Sequence, residues 1–168
     1  MQDFKSLLHR LADSGLEFVI VGGYAAVTCG YAAVTYGSSL VTRDLDICAV
    51  LSEENIGRLR KILAEWHPKH RKTPEKLSFL DFPSSGRLQN LYRLTDVGII
   101  DILSTILGVG DFARLKQAAE VFEIDGRVYH VISLDDLIVA KEAMGRDKDL
   151  LAVKELRAIA AKRKDRDA

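Results

Sequence analysis

Asp44 and Asp46 stand two residues apart in the stretch Thr42-Arg43-Asp44-Leu45-Asp46-Ile47. In an extended strand, residues i and i+2 point to the same side, so this spacing sets two carboxylates next to each other. Adjacent carboxylates repel, and one is driven toward protonation unless a cation lies between them. A hard divalent cation such as Mg2+ relieves that repulsion and prefers carboxylate and phosphate oxygens together. Upstream, Phe18-Val19-Ile20-Val21 reads as a buried strand running into Gly22-Gly23, and Ala-rich helical sequence begins at Tyr24. Paired glycines let the backbone turn tightly and approach a ligand closely, and N–H groups at the start of a helix attract phosphate. A third acid, Asp101, sits in the apolar strand Val97-Gly98-Ile99-Ile100-Asp101-Ile102-Leu103. A lone buried aspartate is costly, so it is either hydrogen-bonded for structure or shares a site with the other two. Three acids on adjacent strands suit two divalent cations, one on nucleotide phosphates and one on an attacking hydroxyl. The acid on the hydroxyl side would lower that group's pKa through the metal or take its proton.

The elements that position these residues are legible in outline. Phe4, Leu7, Leu8 and Leu11 have helical spacing and predict an amphipathic helix over 2–14, stopped at Ser14-Gly15. Leu16 to Val21 is the first expected strand and Asp46 to Leu51 the second, entered through the two acids. Between them Gly23-Tyr24-Ala25-Ala26-Val27-Thr28 recurs as Gly30-Tyr31-Ala32-Ala33-Val34-Thr35. Seven residues are about two helical turns, so the repeat either lengthens one helix in phase or bulges at Gly30. Only the first copy follows a strand, which assigns the ligand-facing glycines to Gly22-Gly23. Gly37-Ser38-Ser39 closes that helix. Ser52 opens a helix to about Trp66, and Pro68 breaks it. A short helix or extended piece over 75–82 and a turn at Pro83-Ser84-Ser85-Gly86 come next. Gln89 to Leu94 and Val97 to Leu103 read as strands, and Phe112 to Ala119 as a short helix. Val121–Ile124 and Val128–Ile132 form a hairpin around Asp125-Gly126. Ser133 starts a helix to about Gly145, Asp147 caps a last one, and the charged tail from Lys162 is expected to fray.

The sum is an α/β (α+β) domain, a small mixed β-sheet flanked by helices with its site at one sheet edge. It is expected to be a single domain over 1–168, with a core at about 16–132 and a C-terminal helical part at about 133–161. Hydrophobic residues make up 48% of the chain, enough for a core, and 24 basic residues balance 24 acidic ones. That balance excludes a global pull toward nucleic acid, so any such contact must be local. No apolar run approaches the roughly 20 residues of a membrane span, and the N-terminus does not read as a signal peptide. Cys29 and Cys48 have no metal-like spacing, in keeping with a reduced cytoplasmic setting.

Other polar residues carry plain readings beside functional ones. The basic run His67-Pro68-Lys69-His70-Arg71-Lys72 is a solvated loop or a patch for the phosphates of a polynucleotide or an acidic co-substrate. Lys141 is a surface lysine lying along its helix or a phosphate ligand. Asp147 and Asp149 are acids favoured at a helix start or parts of a site. Arg43 points away from Asp44. The four histidines, His9, His67, His70 and His130, read as structural or surface residues.

Gly22-Gly23, Thr42-x-Asp44-x-Asp46 and the later strand Asp101 together resemble the nucleotidyltransferase fold of the DNA polymerase beta superfamily. Lys141 with Arg146-Asp147-Lys148-Asp149 is similar to the C-terminal signature of small nucleotidyltransferases related to abortive-infection type IV toxins. The superfamily often has Gly-Ser where this chain has Gly23, and a basic residue where it has Leu40. The resemblance implies that Asp44, Asp46 and Asp101 are catalytic and hold two Mg2+ ions, with Mn2+ as a substitute. It implies that Gly22, Gly23, Thr42, Lys141, Arg146 and Lys148 bind the nucleotide and that Asp149 supports them. The partners it implies are an NTP, an acceptor hydroxyl on RNA (tRNA), protein or a small molecule, and a cognate antitoxin. The alternative is a weakly active or inactive nucleotide- or metal-binding regulatory domain.

Overall fold

The computed structural model describes residues 3–28, 42–72, 75–80 and 90–168. The second heptad copy, the Gly37-Ser38-Ser39 stop, Leu40 and the Pro83–Gly86 turn lie outside them. Helix α1 (Phe4–Asp13) starts where Asp3 accepts a hydrogen bond from the Ser6 N–H, and it buries Phe4, Leu7, Leu8 and Leu11. Strand β1 (Val19–Val21) is fully buried and leads directly into α2 (Gly22–Thr28), which contains the first heptad copy. Strand β2 (Asp44–Cys48) is followed by α3 (Glu53–Leu63), capped by Ser52 as the sequence predicts. Strands β3 (Lys69–His70), β4 (Asn90–Thr95) and β5 (Gly98–Leu103) come next. The small ribbon β6 (Thr105–Ile106) and β7 (Gly110–Asp111) leads to α4 (Phe112–Ala118). The hairpin β8 (Glu120–Ile124) and β9 (Arg127–Val131) turns at Asp125-Gly126, both at positive φ. Helices α5 (Leu134–Met144) and α6 (Asp147–Asp167) finish the chain.

Seven strands form one mixed sheet in the order β3-β4-β5-β2-β1-β9-β8. The pairs β2/β5 and β1/β9 are parallel and the other four are antiparallel. The fold is thus the expected mixed sheet with flanking helices, with differences in detail: Lys69 and His70, inside the run read as a loop, pair with β4 as strand β3. Strand β2 begins at Asp44, because its backbone pairs from Asp44 against Ile99 through Cys48 against Leu103. The acids are therefore inside the strand, not at its entry. Strand β2 is also the middle one of the seven, so the acids lie at the centre of the sheet and not at its edge. Arg146, not Asp147, occupies the N-cap of α6, and Asp147 is the first residue of the helix. The tail is helical to Asp167, because Arg163 reaches Glu120 of β8 at 3.0 Å and Lys164 and Arg166 suit the negative end of the helix.

The C-terminal helices are fixed to the rest by both apolar and charged contacts. Arg114 of α4 donates twice to Asp136 of α5, at 3.1 and 3.0 Å. Leu156, Val153 and Ile159 of α6 join the core with Leu134 and Leu137 of α5. The buried thiol of Cys48 has its pKa pushed up to about 12 by desolvation, which leaves it inert. Among the described residues no helix is long and apolar enough to cross a membrane. Leu156→Ala opens a cavity at a site with 0% exposure and is expected to cost about 2–5 kcal/mol in urea unfolding. Leu151→Ala, at 52% exposure, should cost about 0.5 kcal/mol or less, and equal losses would mean that α6 does not pack as described.

Candidate active site

Strand register builds the site. Asp46 of β2 pairs with Val21 of β1 on one side and with Asp101 of β5 on the other. Asp101 in turn pairs with Tyr92 of β4. Directly paired residues share a face, so one row of side chains crosses the sheet as Val21, Asp46, Asp101 and Tyr92. Asp44 lies on that face by the i, i+2 rule. The row ends at Arg71, just beyond β3, whose N–H donates to the Tyr92 carbonyl at 3.0 Å. Ligand oxygens of Asp44, Asp46 and Asp101 lie within 4.8 Å of one another.

So close a set cannot all be charged at no cost. Burial first, and then the charges of Asp44 and Asp101, push the Asp46 carboxyl up to about 7, with Lys141 and Arg71 acting the other way. Burial also raises Asp101, against a hydrogen bond from Arg71 to its Oδ2. Its Oδ1 is buried with no hydrogen-bond partner among the described residues. The Thr42 hydroxyl lies 3.0 Å from Asp44 Oδ1 and 2.9 Å from the Asp44 carbonyl oxygen, which orients that carboxylate. Three convergent hard oxygens, one of them buried and unpartnered, fit a divalent cation.

The other predicted residues fall into two groups. Gly22 follows Val21 at the end of β1 with φ +68°, and a Cβ there would collide with Asp46 Oδ2. Only glycine lets the chain turn so close to the acids. Gly23 abuts Thr42, where an added Cβ would be 3.1 Å from the Thr42 Cβ. Lys141 is a partly buried wall of the cleft, not an outer surface residue. Its Nζ lies 3.4 Å from Oδ1 of Asp149, and Arg146 Nε donates to Asp149 Oδ2 at 2.5 Å. Asp149 is 1% exposed. Burial opposes its charge, yet the hydrogen bond from Arg146 and the charge of Lys141 hold its pKa below the ordinary carboxylate range. Asp149 thus braces both cations at the rim. Lys148 is exposed on the first turn of α6 and outside the cleft lining, so the structure does not bring it to the acids. Arg43 is exposed, and His9 and His67 meet Asp125 and Asp96 away from the cleft.

The cleft above the acids has a volume of about 480 Å³. It has two walls that the motifs do not mark. Asn90, Tyr92, Arg71 and Lys72 form one, and Ile106, Leu107 and Met144 form the other. Arg71 and Lys72 belong to the basic run read above as a loop or a phosphate patch. Tyr92 carries no signal in the sequence, because only its register opposite Asp101 gives it a place.

No family model matches the chain, and no curated protein sequence matches it. Solved structures do. The antibiotic-resistance factor ANT(2'')-Ia, in solution, superposes with a TM-score of 0.52 at 15% identity, covering 97% of this chain and 90% of that one. Its crystal structure with adenylyl-2''-tobramycin gives a TM-score of 0.51 at 16% identity, over 98% and 97% of the two chains. The Megavirus polyadenylate synthase gives 0.54 at 12% identity, over 94% of this chain and 30% of that one. The chain therefore has a nucleotidyltransferase-like fold.

The raised carboxyl of Asp46 has a consequence for stability. Its folded pKa of about 7 lies above the ordinary 3.8, so the folded state holds the proton more tightly. That contribution is complete below the unfolded value and is lost as pH rises through about 7. In chelator, Asp46→Asn should gain roughly 1–3 kcal/mol relative to wild type between pH 4 and pH 8 by urea unfolding. A difference that does not change with pH would show that Asp46 is not perturbed.

Proposed function

We propose that this chain is a metal-dependent nucleotidyltransferase that moves a nucleoside monophosphate from an NTP to an acceptor hydroxyl. In that reaction the acceptor oxygen bonds to the α-phosphorus, the α–β phosphoanhydride bond breaks, and pyrophosphate leaves. The observation that carries the reading is the row that sets Asp46 beside Asp101, with Asp44 on the same face and the Gly22 turn against them. The solved structures of similar fold, an adenylylating resistance factor and a polyadenylate synthase, support it at the level of the class.

Asp44, Asp46 and Asp101 would hold Mg2+, two ions by resemblance, with Mn2+ as a substitute. The metal supplies charge neutralisation at the phosphates and activation of the hydroxyl. Backbone N–H groups from Gly22-Gly23 at the start of α2 take the triphosphate, and Thr42 keeps Asp44 oriented. Lys141 and Arg146, braced by Asp149, neutralise phosphate charge from the opposite wall. Lys148 contributes at most a long-range charge from its exposed position. The unpartnered Oδ1 of Asp101 would serve the acceptor in one of two ways: as a metal ligand it would lower the hydroxyl's pKa, the proton passing to solvent, and metal-free it would take that proton itself. Phosphoryl transfer of this kind depends chiefly on positioning and electrostatics.

Residues 1–168 act here as one unit, with the part from 133 to 161 supplying Lys141 and Arg146. The acceptor belongs to RNA such as tRNA, to a protein or to a small molecule. The Lys141 and Arg146-x-Lys148-Asp149 ending supports a toxin partnered by a cognate antitoxin. One observation favours the alternative, a nucleotide- or metal-binding regulator: Arg71 occupies one oxygen of Asp101. With Mg2+, an α-labelled NTP and total cellular RNA, protein and metabolites as acceptors, label should be transferred by wild type. Chelator should abolish transfer, and Asp44→Asn should slow it roughly a hundredfold or more. NTP binding without transfer would favour the regulator, and transfer undiminished in Asp44→Asn would refute the three-acid mechanism.

A further inference from the structure

We infer that Tyr92, Lys72 and Arg71 form the acceptor subsite, and that it takes the hydroxyl end of a single-stranded nucleic acid. This rests on the reading above, whose acceptor it specifies. The row across the sheet sets Tyr92 next to Asp101 on the side away from Asp46. Whatever approaches Asp101 from that side meets an aromatic ring and then two cations. The ring is held in place, since Asn90 Nδ2 donates to the Tyr92 hydroxyl at 3.1 Å while Asn90 Oδ1 accepts from the Ser104 N–H at 3.3 Å. Lys72 is exposed, with its Nζ 4.1 Å from the ring centroid and no ion-pair partner among the described residues. Arg71 lies 5.5 Å from the same centroid while it donates to Asp101.

An aromatic platform flanked by cations is the chemistry that stacks a base and contacts its phosphate without reading sequence. An exposed cation–π contact is weak, so the flexible Lys72 stem can give up the ring to a base and move its ammonium to the phosphate. The charge of the described lining disfavours the opposite class of acceptor. The only acids lining the cleft among the described residues are Asp44, Asp46 and Asp101, against Arg71, Lys72, Lys141 and Arg146. A polycationic small molecule needs carboxylates beyond the triad, and the Tyr92 wall offers it two like charges instead. The chain's overall neutrality is compatible with this, since the footprint is one or two phosphates wide.

The test is fluorescence anisotropy of the full chain with a single-stranded oligonucleotide of about 12 residues, labelled at its 5′ end and free at its 3′ hydroxyl. Ribo and deoxy forms are run side by side, and calorimetry with a non-hydrolysable NTP analogue is run on the same proteins. We expect binding that weakens steeply with salt. Lys72→Glu and Tyr92→Ala should each reduce affinity about tenfold or more, while Tyr92→Phe, which keeps the ring, stays near wild type. The affinity of the NTP analogue should change little in Tyr92→Ala, which leaves every charge of the cleft in place. Binding of either sugar form supports the subsite, and the tighter one identifies the acceptor. Failure of both forms to bind a chain that binds the NTP analogue would overturn the inference. So would oligonucleotide affinity unchanged in Lys72→Glu and Tyr92→Ala. Failure of the NTP analogue alone would instead strike the nucleotidyltransferase reading.

Discussion

The structure is arranged around a repulsion. Three carboxylates present oxygens within 4.8 Å of one another on a face where burial already disfavours charge. At that distance two unit charges repel by about 3–4 kcal/mol for an effective dielectric near 20, a sizeable part of the roughly 5–15 kcal/mol that holds a domain together. A proton on Asp46 relieves it in part, and Arg71 and Lys141 relieve it further. The remaining imbalance is what would draw a cation to the cluster. A fold optimised for stability alone would not place an unpartnered carboxylate oxygen at the centre of its sheet.

The neighbouring elements serve that cluster. Pairing of β2 with β5 sets the distance between Asp46 and Asp101, and a slip of one residue would turn one of them to the opposite face. Gly22 brings the start of α2 against Asp46 where no side chain fits. Asp149 holds Lys141 and Arg146 on the far rim, so cations face acids across an open cleft. The Arg114–Asp136 pair anchors the first turn of α5, the helix that carries Lys141.

The parts of this arrangement that depend on local chemistry were legible in the sequence. Ser52 and Ser133 cap their helices, Asp125-Gly126 turns its hairpin, and Asp44 and Asp46 share a face by strand periodicity alone. The nucleotidyltransferase-like fold was legible from Gly22-Gly23, the paired acids and Asp101 taken together. What depends on register was not. No local pattern places β2 in the middle of seven strands, or Tyr92 opposite Asp101, or Arg71 beyond it. Strand pairing is set by contacts distant along the chain. Lys148 shows the reverse, a motif residue that the helix geometry leaves outside the cleft. Successive helical residues are about 100° apart, so with Asp149 turned inward its neighbour Lys148 faces solvent.

The central claim is that Asp44, Asp46 and Asp101 are one cation site. Titration of Mn2+ into the wild-type chain and into Asp101→Asn, followed by the loss of the free-ion electron paramagnetic resonance signal, tests it most directly. The account predicts that wild type binds Mn2+ and that Asp101→Asn binds it at least about tenfold more weakly. Equal affinity in the two proteins would contradict it.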